Sequence, residues 1–378
     1  MERKRPAGLG ARKPGAAVRG GELAMLARIR AMAGATGAKS DRANGVRLGI
    51  GDDCALVAVK PGELVAVTTD FSIAGRHFEL DWHPAEAIGH RVLARGLSDL
   101  AAMGARPIAA FLSLGVPATL VGIGKDGSGR LSGKQGSWRR ELWREPWPES
   151  WIDRFYEGLL ALAREFRTPL AGGDLAESPI AAADIVLLGA VPQGKSLLRC
   201  GARPGDQIYV TGSLGGAAAG LAILKALAGD HQPTGIAGLK IPRKLEAALA
   251  KHLYPRPRVK QGLWLRKRGA ASSAIDMSDG LSTDLRHLCE ESGVAAEVDA
   301  AALPISHGAT LAQALNGGED YELLFTSRPG TRIPRRIGEV PVTRIGQVFR
   351  RSAKRPMITL VTPRGRRALE AEGWEHFA

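Results

Sequence analysis

The sequence predicts a two-domain α/β protein. Three observations predict it: a length of 378 residues, strand-like apolar runs alternating with helix-spaced ones, and a change of character near residues 192–206. That length is about twice a usual domain, so two domains are the expected count. A hydrophobic fraction of 44% is ordinary for a globular chain, and 48 glycines with 5% aromatics suit many tight turns.

The elements follow in order. Residues 1–20 are rich in Gly, Pro, Ala and Arg and read as a disordered basic tail. Residues 22–33 have helical spacing, and a Gly-Ile-Gly-Asp-Asp turn follows at 49–53. Leu64 to Thr69 reads as a strand that ends at Asp70. A helix is expected from Pro84 to Met103, with Ile88, Val92, Leu93, Leu97 and Leu100 at three- and four-residue steps. Pro107 to Leu114 reads as a strand. Residues 121–150 repeat Gly, Lys, Arg and Trp without periodicity and read as a surface insertion. A helix over 151–166 puts Ile152, Phe155, Leu159, Leu162 and Phe166 on one face, a Gly-Gly-Asp turn lies at 172–174, and a strand at 184–191. Residues 21–192 thus form an N-terminal domain. The C-terminal domain, 193–378, repeats the alternation: strand 207–211, helix from about 214, helix near 245–252, strand 273–276, helix 279–291, strand 296–299, helix 308–315 and strand 321–326.

Composition narrows the function. Cys54, Cys200 and Cys289 are odd in number and widely spaced, which argues against a disulfide framework or a structural zinc site and fits the cytoplasm. No run of 18 apolar residues and no apolar leader segment occurs, so neither a membrane span nor a secretory signal is expected. The net charge is +14. Nucleic-acid binding is one reading of it. However, the basic residues concentrate in the tail and the insertion or disperse over helix faces, and no basic-aromatic strand pattern appears. Nucleic acid is therefore not the expected partner.

No Gly-x-x-x-x-Gly-Lys-Ser/Thr occurs, which excludes a P-loop. One Gly-x-Gly-x-x-Gly, at Gly122, Gly124 and Gly127, is not followed by a helix pattern and reads as part of the insertion. The acidic motifs say more. Asp52 and Asp53 follow a glycine turn, and Asp70 follows Thr68 and Thr69. Asp99 lies in Leu-Ser-Asp-Leu, and Asp174 follows Gly172 and Gly173. Asp276 and Asp279 flank Ser278, and Glu319 and Asp320 follow two glycines. Singly, each has an ordinary role as a turn residue or cap. Together they put carboxylates on strand ends and glycine turns of an otherwise basic chain, where α/β folds place ligand groups. Such oxygen clusters suit Mg²⁺ shared with phosphate oxygens. Without a cation, two like charges about 4 Å apart repel by about 4 kcal/mol at an effective dielectric of about 20. Phosphoryl transfer from ATP to a second phosphate is the chemistry that this charge pattern favours.

Seven segments in register resemble the thiamine-monophosphate kinase family, of the aminoimidazole-ribonucleotide-synthetase-like superfamily. They are Gly49-Ile-Gly-Asp-Asp-Cys-Ala55, Thr68-Thr-Asp70, Gly75-Arg-His-Phe78, Leu97-Ser-Asp-Leu-Ala-Ala-Met-Gly-Ala105, Gly172-Gly-Asp174, Ser273-Ala-Ile-Asp-Met-Ser-Asp-Gly-Leu281 and Gly317-Gly-Glu-Asp-Tyr-Glu-Leu323. The resemblance runs from about Gly21 to Phe377 and leaves out the tail and the insertion. It implies an N-terminal four-stranded sheet that forms a barrel with that of a second copy, a C-terminal α/β domain, and a homodimer. It implies ATP-dependent, direct phosphorylation of thiamine monophosphate to thiamine diphosphate, with no covalent nucleophile. Asp53, Thr68, Thr69, Asp70, Asp99, Asp174, Asp276 and Asp279 would bind Mg²⁺, and Gly173, Asp174, Arg199 and Ser278 would contact ATP. His77, Glu319 and Trp374 would contact the thiamine moiety. On their own residues these stay open: Arg199 is a phosphate cation or a surface arginine, His77 a contact or a loop residue, Trp374 a stacking ring or a packed terminus. Arg76 stands beside His77 where the family commonly has a small polar residue. Another ATP-using member of the superfamily is the nearest alternative activity. The chain lacks the N-terminal and C-terminal cysteines that two of those members need.

Overall fold

The computed structural model describes residues 22–34, 45–50, 52–120, 151–230 and 249–373. The expected tail, the insertion with its glycine loop, and Trp374 lie outside these residues.

The N-terminal part opens with helix α1 (Glu22–Gly34), then the short antiparallel pair β1 (Val46–Leu48) and β2 (Leu56–Val57). Strand β3 (Glu63–Ile73) leads to helix α2 (Ala85–Ala102) and strand β4 (Arg106–Val116). Helix α3 (Trp151–Phe166), β5 (Leu170–Glu177) and β6 (Ala182–Pro192) complete it. The sheet order is β3-β6-β4-β5, with only β4 and β5 parallel. One face is covered by α2 and α3, whose Leu93, Leu97, Phe155 and Leu159 pack on Ile185 and Leu187. The two helices approach closely because each offers a glycine. A Cβ on Gly89 would sit 1.9 Å from the Phe155 carbonyl, and one on Gly158 would sit 1.9 Å from that of Glu86. The β1–β2 pair covers part of the other face through a small cluster of Val46, Ile108, Ala171 and Ala190.

The C-terminal part carries β7 (Gln207–Thr211), helix α4 (Gly216–Asp230), a helical stretch at 249–253, helix α5 (Val259–Arg268) and β8 (Ser273–Asp276). Helix α6 (Leu281–Ser292), β9 (Val294–Asp299), helix α7 (Leu311–Asn316) and β10 (Leu323–Ser327) follow. Strands β11 (Arg336–Ile337), β12 (Val340–Arg350), β13 (Ile358–Thr362) and β14 (Gly365–Ala368) end it. The sheet runs β14-β13-β9-β12-β7-β10-β8, with β11 beside β12. Ile208, Leu285, Leu288, Val298, Ile345 and Leu360 form its core.

Four points differ from these expectations or add to them. Strand β3 does not stop at Asp70, because pairing with β6 continues to Ile73 opposite Ala182. Gly172-Gly-Asp174 is not a turn but the middle of β5, an edge strand that needs only one partner and so tolerates glycines. The strands after 327 and helix α5 escaped the sequence reading. Strand β12 buries only scattered positions among Arg, Thr and Gln, so no apolar run marks it. Lastly, the N-terminal sheet is open in the single chain, with β3 and β5 as its edges and no closed barrel among the described residues.

The interhelical glycines give a direct check. Gly158→Val would force α2 and α3 apart and is expected to cost about 3 kcal/mol. Calorimetry should then show a melting temperature lower by roughly 6–12 °C.

Candidate functional site

Helix α2 lies between the two halves and builds the site. Arg91, Arg95, Ser98 and Asp99 follow an i, i+4, i+7, i+8 spacing, which places them on one helical stripe. That stripe faces three partners: β3 of its own sheet, the end of β8, and the loop before β10.

Alternation along β3 selects what meets the stripe. Thr68 and Asp70 point to the helix-covered face, while Val67, Thr69 and Phe71 point to the open one. Thr68 donates its hydroxyl to Asp99. Asp70 pairs with Arg95 at 3.4 Å, and its second oxygen, Oδ2, is buried with no hydrogen-bond partner. Across the domain boundary, Ser98 donates to Asp276 Oδ2 at 2.7 Å. Asp276 ends β8 and is 4% exposed.

These carboxylates are crowded. Burial, then the charge of Asp99, pushes Asp70 up to about 7, against the pull of Arg95. The same two causes push Asp276 up to about 7, against its hydrogen bond from Ser98. Burial also raises Asp99, opposed by Thr68, Arg199 and Arg95. Arg199 is exposed, and its charge acts on both Asp99 and Asp276. Asp279 stands two residues before α6. Its main-chain N–H donates to Asp284 at 3.2 Å, as does that of Gly280 at 3.0 Å. Ser278 is half-buried, and its carbonyl accepts the Glu319 N–H at 2.8 Å.

A second group lines a cavity of about 420 Å³ between α1, residues 50–55 and the edge strand β5. Asp53, Gly173 and Asp174 belong to it, together with Leu26, Ile29 and Tyr156. Gly173 has φ +145°, and a Cβ there would lie 1.9 Å from the Leu112 carbonyl, so only glycine fits. Gly173 and Asp70 share one row of the sheet, Asp70–Ile185–Leu112–Gly173. Three strand spacings, roughly 14 Å, separate them.

A third group lies at the other end of the stripe. Glu319 forms an ion pair with Arg91 at 2.6 Å, and His77 presents its carbonyl to the same guanidinium at 3.1 Å. Among the resemblance-implied residues the structure does not gather all. Thr69 faces the opposite side of β3 from Thr68 and Asp70, and Trp374 is not among the described residues. Sequence reasoning missed Arg91, Arg95, Ser98, His252 and Asp284. The helical stripe spacing with Asp99 was the available signal for the first three.

The donor set fits a divalent cation. Three carboxyl groups, Asp276 buried and Asp70 and Asp99 half-buried, lie close enough to act on one another, with one unpartnered oxygen and two nearby arginines. Among the described residues no three acidic, imidazole or thiol groups already form a cage.

Residues 51–192 match the N-terminal domain of AIR synthase related protein, and residues 203–356 match its C-terminal domain. The thiamine-monophosphate kinase of Salmonella typhimurium is 36% identical over 347 residues, covering 88% of this chain and 93% of that one. This chain belongs to the thiamine-monophosphate kinase family. The crystal structure of thiamine-monophosphate kinase from Stenotrophomonas maltophilia K279a is similar at 34% identity and TM-score 0.69, over 90% of this chain and 96% of that one. A structure described as AaThiL complexed with AMPPCP and TMP is similar at 26% identity and TM-score 0.66, over 94% and 97% of the two chains. Among the described residues no helix of this kinase-family chain is long and apolar enough to cross a membrane.

The crowding of Asp276 has a measurable sign. Its raised pKa means that the folded chain keeps a proton which the unfolded chain loses above about pH 4. The stability that Asp276 contributes is full at low pH and is lost as pH rises towards about 7. Asn at this position does not titrate. The melting temperature of metal-free Asp276→Asn is therefore expected to rise relative to the wild type between about pH 5 and about pH 8, followed by calorimetry.

Proposed function

We propose that this chain transfers the γ-phosphoryl group of ATP directly onto thiamine monophosphate, giving thiamine diphosphate and ADP in the cytoplasm. The carrying observation is the carboxylate cluster of Asp70, Asp99 and Asp276, brought together where β3, α2 and β8 meet between the two halves, in a chain of this family. The AMPPCP and TMP of the AaThiL complex support ATP and thiamine monophosphate as the pair of substrates.

The roles follow from position. Asp53, Asp70, Asp99, Asp174, Asp276 and Asp279 would hold Mg²⁺ directly or through water, with Thr68 and the main chain of Thr69 beside them. Bound there, Mg²⁺ supplies positive charge between carboxylates and phosphate oxygens, which otherwise repel by several kcal/mol. Gly173 lets the backbone approach the nucleotide, and Asp174, Ser278 and Arg199 contact it, Arg199 as a fixed fork for phosphate oxygens. Glu319 faces the cationic thiamine moiety with a carboxylate that stays ionised: burial would raise its pKa, but the charge of Arg91 beside it, helped by Arg95, holds it at about 2. His77 contacts the same moiety, and Trp374 stacks on it. No side chain need form a covalent intermediate, since the reaction is positioning and charge neutralisation.

The domain division is placed at 192/193, between the two sheets. The active form is a homodimer in which the N-terminal sheets of two copies complete a barrel. Supporting this, the open face of β3 leaves Val65 48%, Val67 61% and Phe71 53% exposed on an unpaired edge strand.

A coupled ADP-release assay tests the reading. ADP release should be stimulated by thiamine monophosphate and not by thiamine or formylglycinamidine ribonucleotide; stimulation by the last alone would assign the chain to another superfamily activity. Asp70→Asn should lower kcat by about 100-fold or more, ~3 kcal/mol, while keeping the wild-type circular dichroism spectrum. For the dimer, Phe71→Asp is expected to shift sedimentation from dimer to monomer. An unchanged dimer would remove the β3 face from the interface.

A further inference from the structure

Arg91 contacts both domains through one guanidinium. Its Nη2 donates to Glu319 Oε1 at 2.6 Å and to the His77 carbonyl at 3.1 Å, and its Nη1 donates to the His252 carbonyl at 2.6 Å. The side chain is 7% exposed. Only arginine offers this many donors in a rigid plane. His77 belongs to the loop after β3, whereas Glu319 and His252 belong to the C-terminal half.

The groups that Arg91 holds have little preference of their own for these places. Glu319 has φ +66° and Tyr321 φ +48°, both in the left-handed region that side chains avoid. Such backbone persists only where its surroundings over-determine it. Main-chain hydrogen bonds tie this loop to residues 277–278: Glu319 N–H to the Ser278 carbonyl at 2.8 Å and Tyr321 N–H to that of Met277 at 3.0 Å. Arg91 fixes the side chain. His252 completes the frame, with its Nδ1 3.6 Å from Glu319 Oε2 and its Nε2 3.0 Å from His83 Nε2. Burial pushes both rings down, His252 to about 2 and His83 to about 4, so both are neutral and Arg91 carries the cationic side of the pair.

We propose that Arg91 is a positioning residue for the acceptor substrate: it sets the Glu319 carboxylate and the His77 loop in register across the two domains, and so governs affinity for the acceptor and not for ATP. The proposal rests on the reading of the chain as a kinase of thiamine monophosphate. It assigns Arg91 no contact with the substrate. The Glu319 carboxylate and the His77 loop are the parts that Arg91 holds in place for that.

Steady-state kinetics with ATP and thiamine monophosphate varied separately test it, on wild type, Arg91→Met, Arg91→Lys, Glu319→Gln and the Arg91→Met/Glu319→Gln double variant. Wild-type turnover comes first; its absence would defeat the functional reading, and the proposal with it. Given turnover, Arg91→Met should raise KM for thiamine monophosphate about tenfold or more and change KM for ATP less than about twofold. Arg91→Lys should recover part of the loss, because it restores the charge without the fork. The double variant should be no worse than Glu319→Gln alone, since Arg91 acts through that carboxylate. This comparison also stands if Arg91→Met alone folds poorly, because the double variant leaves no unpaired buried charge. Equal rises in both KM values, a fall in kcat alone, or effects of the two substitutions that multiply would each overturn the proposal. The last would mean that Arg91 touches the substrate itself.

Discussion

Burying three carboxylates against one another is the constraint around which this molecule is arranged. Asp70 comes from β3, Asp99 from α2 and Asp276 from β8, so three elements and both domains must converge for the cluster to exist. Each carboxylate costs energy to desolvate, and each raises the cost of the next. The fold offsets this with two arginines, a threonine and a serine, and still leaves one Asp70 oxygen without a partner. A site poised this way is best satisfied by a cation that arrives with a polyanion.

Charge works on two scales here. The chain as a whole is strongly basic, which favours encounter with phosphate-bearing molecules at long range. Locally the cleft is acidic, which rejects a bare phosphate. Under the proposed function, the two together would favour phosphates that bring their own metal. The stripe on α2 separates two charged groups in space, with the carboxylate cluster at Asp99 and the Glu319 ion pair at Arg91.

The sequence made much of this legible, and the reasons are physical. Helix α3 buries one apolar face, so its period shows; α2 is buried nearly all round, and its larger apolar side chains still recur at helical steps. The acidic motifs stood out because carboxylates on glycine-rich segments are unusual in a basic chain. What stayed hidden was of two kinds. Half-buried strands such as β12 leave no apolar run, and Gly172–Asp174 looked like a turn because glycine at a sheet edge has the composition of one. The partners were hidden too. Arg91 and Glu319 lie 228 residues apart, and nothing local in either segment announces the other. Their pairing is a property of how the two halves meet.

Strand β3 carries two duties on alternate residues. Thr68 and Asp70 look inward to the carboxylate cluster, and Val67, Thr69 and Phe71 look outward from an unpaired edge. Its composition is therefore less constrained than its phase. Swapping one outward apolar residue for another leaves the interior untouched, but inserting or deleting a single residue would turn the aspartate to solvent and drive phenylalanine into the cleft. In this strand length is inherited as a unit, and drift can proceed by substitution while indels are barred.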